Sequence, residues 1–232
     1  MSSIYPKLFE TAFVDGTTFQ QDHYEYRLYC QEIGQLQVKT GRIVANDPLV
    51  MFETEPFALS FPKGVFPVQL AIAKVSANAD ASQVGDEQQP DERVAFAQIV
   101  FANKPVTSWK MAVWENSDVA QLAANEFFGY GVDSGTGSFM DASACQLLEQ
   151  EIEQNDMYLE SLIKDMDKTY KHTRSWLVKD LGDGNNIAMF STGWGDGSYA
   201  SYIGLDEEGQ IVRLVTDFYL FDWMESDEGK AD

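Results

Sequence analysis

The 232 residues carry 16 Lys and Arg against 37 Asp and Glu, a formal net charge of −21, with 44% hydrophobic and 13% aromatic residues. That apolar content supplies one sizeable core and excludes a disordered chain. The charge speaks against nucleic acid and against an anionic membrane as partners, because both are held mainly by Lys and Arg.

No stretch reaches the roughly 18 consecutive apolar residues of a membrane span. The start, Met1-Ser2-Ser3-Ile4-Tyr5-Pro6, has neither the basic residues nor the apolar run of a secretion signal, so a cytoplasmic location is expected. Cys30 and Cys145, alone and far apart, fit free thiols in a reducing compartment.

In the N-terminal quarter aromatics alternate with polar residues, as in Tyr24-Glu25-Tyr26-Arg27-Leu28-Tyr29. Turn-prone pairs at Asp15-Gly16, Thr40-Gly41 and Asp47-Pro48 predict short antiparallel strands there. Val65–Val75, Val94–Phe101 and Val106–Trp114 are apolar on both alternating faces and are expected at the sheet centre. Between the first two, residues 76–92 hold five acids, no base and little large apolar surface, which predicts a mobile acidic loop.

From Ala142 to about Tyr170, Leu148, Ile152, Leu159, Leu162, Ile163 and Met166 recur at helical spacing. One long amphipathic helix is predicted near 142–170, with Asp141 as its N-cap. Its other face is acidic, with Glu149, Glu151, Glu153, Asp156, Glu160, Asp165 and Asp167. Ser175–Leu181, Ile187–Phe190, Tyr199–Leu205 and Gln210–Phe218 follow as strands, the last two closed by a hairpin with Gly209 at the turn. The reading is a single α+β domain over residues 1–221, mostly antiparallel and sandwich-like, with a frayed acidic tail at 222–232.

Two glycine-rich stretches stand apart: Phe128-Gly129-Tyr130-Gly131-Val132-Asp133-Ser134-Gly135-Thr136-Gly137-Ser138-Phe139-Met140-Asp141, and Phe190-Ser191-Thr192-Gly193-Trp194-Gly195-Asp196-Gly197-Ser198-Tyr199. Four glycines between 129 and 137 would weaken an ordinary strand, so they answer a local geometric need. Either they form a tight turn into the Asp141 cap, or they let a ligand approach the backbone. No phosphate-binding glycine pattern is present, and the nearest charges are negative. These stretches, with Gly64-Val65-Phe66-Pro67-Val68, Trp109-Lys110-Met111-Ala112 and Leu214-Val215-Thr216-Asp217-Phe218, resemble the bacterial family known as domain of unknown function 4241 (DUF4241). The resemblance runs in register from Gly64 to Phe218 and implies a shared architecture with paired loops, but no reaction.

Three functional readings follow. The first is an acidic, immunity-like binding protein that neutralises a basic toxin or effector domain, as in toxin–antitoxin pairs. Its partner-binding residues would be Glu149, Glu153, Asp156, Glu160, Trp194 and Asp196, with no cofactor and no catalytic residue. Trp194 is included because its glycine-flanked loop offers a large ring little to bury against. The alternative is a metal-assisted hydrolase in which Asp133, Asp141, Asp196 and Asp217 converge on a divalent cation. A third reading is an acidic structural subunit. With only His23 and His172, and no Gly-x-Ser-x-Gly elbow, a histidine-based triad finds little support, which favours a protein that is not an enzyme.

Overall fold

The computed structural model describes residues 8–51, 54–77, 91–123 and 126–222. Most of the predicted acidic loop and all of the tail beyond Asp222 therefore lie outside the described residues.

The chain opens with α1 (Leu8–Thr11), β1 (Thr18–Gln21), β2 (Tyr24–Val38), β3 (Ile43–Asn46), β4 (Gly64–Ala77), β5 (Asp91–Val100) and β6 (Ser108–Met111). After a 3₁₀ turn come β7 (Gly129–Val132), β8 (Thr136–Asp141), α2 (Ala142–Gln154) and α3 (Tyr158–Met166). The strands β9 (Trp176–Gly182), β10 (Asn185–Ser191), β11 (Gly197–Leu205) and β12 (Ile211–Asp217) complete it. Every pairing is antiparallel. One sheet has eight strands in the order β1-β2-β4-β5-β12-β11-β6, and β7 joins the free edge of β11 beside β6. A second sheet has four, β3-β8-β10-β9.

The two sheets pack face to face over Leu36, Val68, Leu70, Ile72, Ile99, Phe139, Phe190 and Leu214. The larger sheet is also covered on its outer face, where small residues (Ala71, Ala73, Ala95, Ala200) pack with Phe9, Phe96, Leu220 and Phe221. The smaller sheet buries its outer face beneath α2 and α3 through Met140, Leu148, Leu162, Met166 and Ile187. The result is four layers. Double coverage explains why β4 and β5 read as continuous apolar runs.

Three sequence expectations change. Val106–Trp114 shrinks to the four-residue β6 at a sheet edge; the centre is β4, β5 and β12. In the N-terminal quarter, one predicted short strand is a 15-residue β2, continuous through a bulge at Glu32–Gly34.

The single long helix is two. Asn155 is extended (φ −141°, ψ 97°) and its Oδ1 accepts from the Met157 amide at 3.1 Å, so its side chain competes with the helical ladder. Geometry also demands the break. A straight helix through Met166 would run about 37 Å, whereas four strands span only about 15–20 Å. The turn lets α2 lie across β3, β8, β10 and β9 while α3 folds back over β9. Apolar spacing continues across the turn, and this concealed it. Asp141 does cap α2, accepting from the Ser143 amide at 3.0 Å, and Gly209 closes the β11–β12 hairpin at φ +74°. Among the described residues no helix is long and apolar enough to cross a membrane.

Candidate functional site: a glycine-rich corner and an acidic helical layer

The two glycine-rich stretches meet. Ser191 pairs with Thr136 in the small sheet and Gly197 with Val132 in the large one, so residues 133–135 and 192–196 cross between the sheets side by side. The Thr192 amide donates to the Gly135 carbonyl at 3.1 Å, and the Thr192 and Tyr199 hydroxyls both donate to the Gly195 carbonyl at 2.7 Å. Gly193 has φ +30°, and a Cβ there would lie 2.5 Å from the Phe218 carbonyl oxygen, so no other residue fits. A Cβ at Gly137 would stand 3.0 Å from the Tyr130 hydroxyl. That hydroxyl is fully buried, and burial pushes its pKa far above the ordinary tyrosine value.

Asp47 anchors the crossing, and sequence reasoning did not identify it as a site residue. It is 1% exposed. One carboxylate oxygen accepts from the Asp133 and Ser134 amides at 3.0 and 2.8 Å; the other accepts from the Ser134 hydroxyl at 2.8 Å and the Leu49 amide at 2.9 Å. The only sequence signal was the Asp-Pro turn, since the partners lie 86 residues away.

The four aspartates of the metal reading are not gathered. Asp133 and Asp196 are exposed and adjoin at the end of the β7–β11 pair. Asp141 is buried and spent on capping, accepting also from the Thr40 amide at 2.9 Å and the Thr40 and Ser143 hydroxyls. Burial would raise its pKa, but the hydrogen bonds of Ser143 and Thr40 prevail and hold it below the usual carboxylate range. Asp217 is buried and accepts from the Tyr219 amide at 2.9 Å. Among the described residues no group of three or more His, Cys, Asp or Glu is placed to hold a metal ion. Burial pushes the Cys145 thiol up to about 12, so its place in the first turn of α2 does not activate it.

Trp194 is 52% exposed at the corner, its ring 4.8 Å from the Arg93 guanidinium, and Arg93 is paired with Asp91 at 2.7 Å. Beside it, buried Glu92 pairs with Arg174 at 2.9 Å and accepts from the Tyr29 hydroxyl at 2.8 Å, tying the large sheet to the segment before β9. Burial raises the Glu92 pKa, but Tyr29 and Arg174 outweigh it and keep the carboxylate charged. Two acids of the predicted acidic loop are therefore neutralised.

The helical layer differs. Asp165 is held by Lys168 and Lys179, each at 2.6 Å, which draws its pKa down to about 2. Half-buried Glu149 and exposed Glu151, Glu153, Asp156, Glu160 and Asp167 have no ion-pair partner among the described residues. Between them stand Met157, 60% exposed, and Ile163, 46% exposed. Glu149, Glu153, Asp156 and Glu160 thus share one layer. Trp194 and Asp196 belong to the corner instead, and no hydrogen bond or ion pair among the described residues links the two groups.

Comparison with known proteins gives a match to one family model, "Protein of unknown function (DUF4241)", over residues 36–216. No curated protein matches the chain. No solved structure matches it either. The matched span contains both glycine-rich crossings, β3 to β11, all but the last residue of β12, and both long helices. The chain therefore belongs to the DUF4241 family.

Proposed function

We propose that the protein is a cytoplasmic, immunity-like binding protein that captures a basic toxin or effector domain on the layer formed by α2 and α3. One observation carries this reading: Glu149, Glu151, Glu153, Asp156, Glu160 and Asp167 lack cationic partners among the described residues, on the same two helices and turn that expose Met157 and Ile163. Unpaired like charges on neighbouring turns disfavour folding by a few tenths of a kcal/mol per pair. That small cost is recovered when a cationic surface docks. Exposed apolar side chains among carboxylates also match the usual composition of an interface, with polar groups and apolar anchors. Trp194 and Asp196 extend the surface only if the partner is large enough to reach the corner.

The test is co-expression with the products of neighbouring genes, followed by association kinetics at low and high salt. The combined variant Glu149→Gln, Glu153→Gln, Glu160→Gln should slow association by roughly ten-fold at low salt. Glu207→Gln, an exposed change at the β11–β12 hairpin, should leave the rate unaltered. A partner whose binding ignores both salt and the triple variant would remove the proposal.

A further inference from the structure

A second feature lies on the opposite side of the molecule, on the outer face of the eight-stranded sheet. A cavity of about 550 Å³ opens between α1, the β5–β6 loop and the sheet. Its floor carries Gln69, Gln98 and Arg213 from β4, β5 and β12, and its walls include Glu10, Phe13 and Trp109. Gln69 and Gln98 are opposite one another and Arg213 lies diagonally two residues along, a polar group on a face otherwise rich in alanine and aromatic rings.

The charges in it are unusual. Arg213 is partly buried, and its Nη1 donates to the carbonyls of Ala102 and Val212. It has no carboxylate partner among the described residues, in a protein of net charge −21. Glu10 accepts only a long 3.4 Å bond from the Val106 amide and has no cationic partner among them. Both line this cavity, yet they are not within ion-pair distance of each other. Lys104, the remaining cation of the wall, is already engaged by Asp206 at 2.7 Å and Glu208 at 3.0 Å. Arg213 is partly buried with no carboxylate in contact, which is costly; exposed Glu10 reaches it only electrostatically from across the cavity, so the pair suits a molecule that brings a carboxylate to the one and a cation to the other.

The remaining lining specifies the rest. Gln98 Nε2 donates to Gln69 Oε1 at 2.8 Å, which fixes both amides and leaves the Gln69 amide as donor and the Gln98 carbonyl as acceptor. Trp109 lies across Gly204, where an added Cβ would be 2.9 Å from its ring, so the indole is held in place. The volume falls in the usual range for small-molecule sites.

We propose that this cavity binds a free amino acid with an apolar side chain. Its carboxylate would lie on Arg213, its ammonium on Glu10, and its side chain against Trp109 and Phe13. The guanidinium suits the carboxylate because it presents paired donors in one plane.

Titration calorimetry with L-leucine, L-phenylalanine and L-tryptophan on the full chain tests this, with the N-acetyl and the carboxamide derivative of each as further arms. Binding of at least one free amino acid is expected with Kd of about 10 μM to 1 mM. Arg213→Gln and the carboxamide should each weaken it about ten-fold or more. Glu10→Gln, an exposed change on the short α1, should weaken the free amino acid several-fold while leaving the N-acetyl form unaffected, a pattern that mere loss of folding would not give. The proposal is overturned if no free amino acid binds at concentrations up to about 10 mM. It is equally overturned if binding occurs but is indifferent to Glu10→Gln and to N-acetylation.

Discussion

Removing the Asp47 carboxylate should loosen the corner where the chain twice changes sheet. Four donors converge on its two oxygens, and it is 1% exposed. A hydrogen bond to a charged group contributes about 1.5–3 kcal/mol, and a donor stranded without solvent costs about 1–3 kcal/mol. In Asp47→Asn the remaining oxygen can serve the Asp133 and Ser134 amides and the new amide can donate to the Ser134 hydroxyl, so only the Leu49 amide is opposed. That variant should lose about 2 kcal/mol. Asp47→Ala abandons all four donors; because Asp133 and Ser134 are exposed enough for water to replace part of the loss, about 4 kcal/mol is expected. For a protein of this size the two losses correspond to falls in Tm of about 4–8 and 8–16 °C. Urea denaturation followed by circular dichroism gives both values, with Asp133→Asn, an exposed neighbour, as a control expected within about 0.5 kcal/mol of the parent. If Asp47→Ala costs less than about 1 kcal/mol, the hydrogen bonds are incidental and the reasoning about the corner is wrong.

Gly193→Ala should cost at least about 3 kcal/mol in the same assay, because its Cβ would strike the Phe218 carbonyl, whereas Gly195→Ala, which meets no neighbour but must hold φ +114°, should cost about 1–3 kcal/mol from backbone strain alone. Arg174→Met should destabilise by about 3–5 kcal/mol by leaving Glu92 buried and uncompensated; replacing both members with apolar residues should recover much of that. Asp165 has a folded pKa of about 2 against an ordinary 3.8, so its contribution is present above about pH 4 and disappears as pH falls toward about 2. Asp165→Asn should therefore flatten the acid limb of a stability-versus-pH curve and leave its neutral slope alone. Cys145, with its thiol pushed up to about 12, should resist a thiol reagent at about pH 8 until the protein is unfolded, and rapid labelling in the native state would contradict its burial.

Strand identity was legible because its causes are local. The alternation near Tyr26 and the long apolar runs of β4 and β5 report which faces are covered, and Asp141 sits where an N-cap belongs. The glycine-rich stretches were conspicuous in sequence, yet their meeting depends on the pairings Thr136–Ser191 and Val132–Gly197, each made across more than fifty residues. Asp47 and the Glu92–Arg174 pair were hidden for the same reason: an isolated acid or base is indistinguishable from a solvated one until the fold supplies its partner. The helix break escaped because the apolar spacing from Ile152 to Leu159 suits an unbroken helix as well as two. What decided it was the width of the sheet beneath, which no window of residues contains.

The coverage of the larger sheet bears on what a minimal version of this protein can be. Residues 36–216 stop short of Phe9, Tyr26 and Leu28 on one side and of Leu220 and Phe221 on the other, all of which are sealed against the outer face. A fragment trimmed to that span would lose most of β2 and bare a broad greasy surface to water. It should clump or demand a surrogate lid, so the segments flanking the recognisable motif are as much part of the foldable unit as the motif itself.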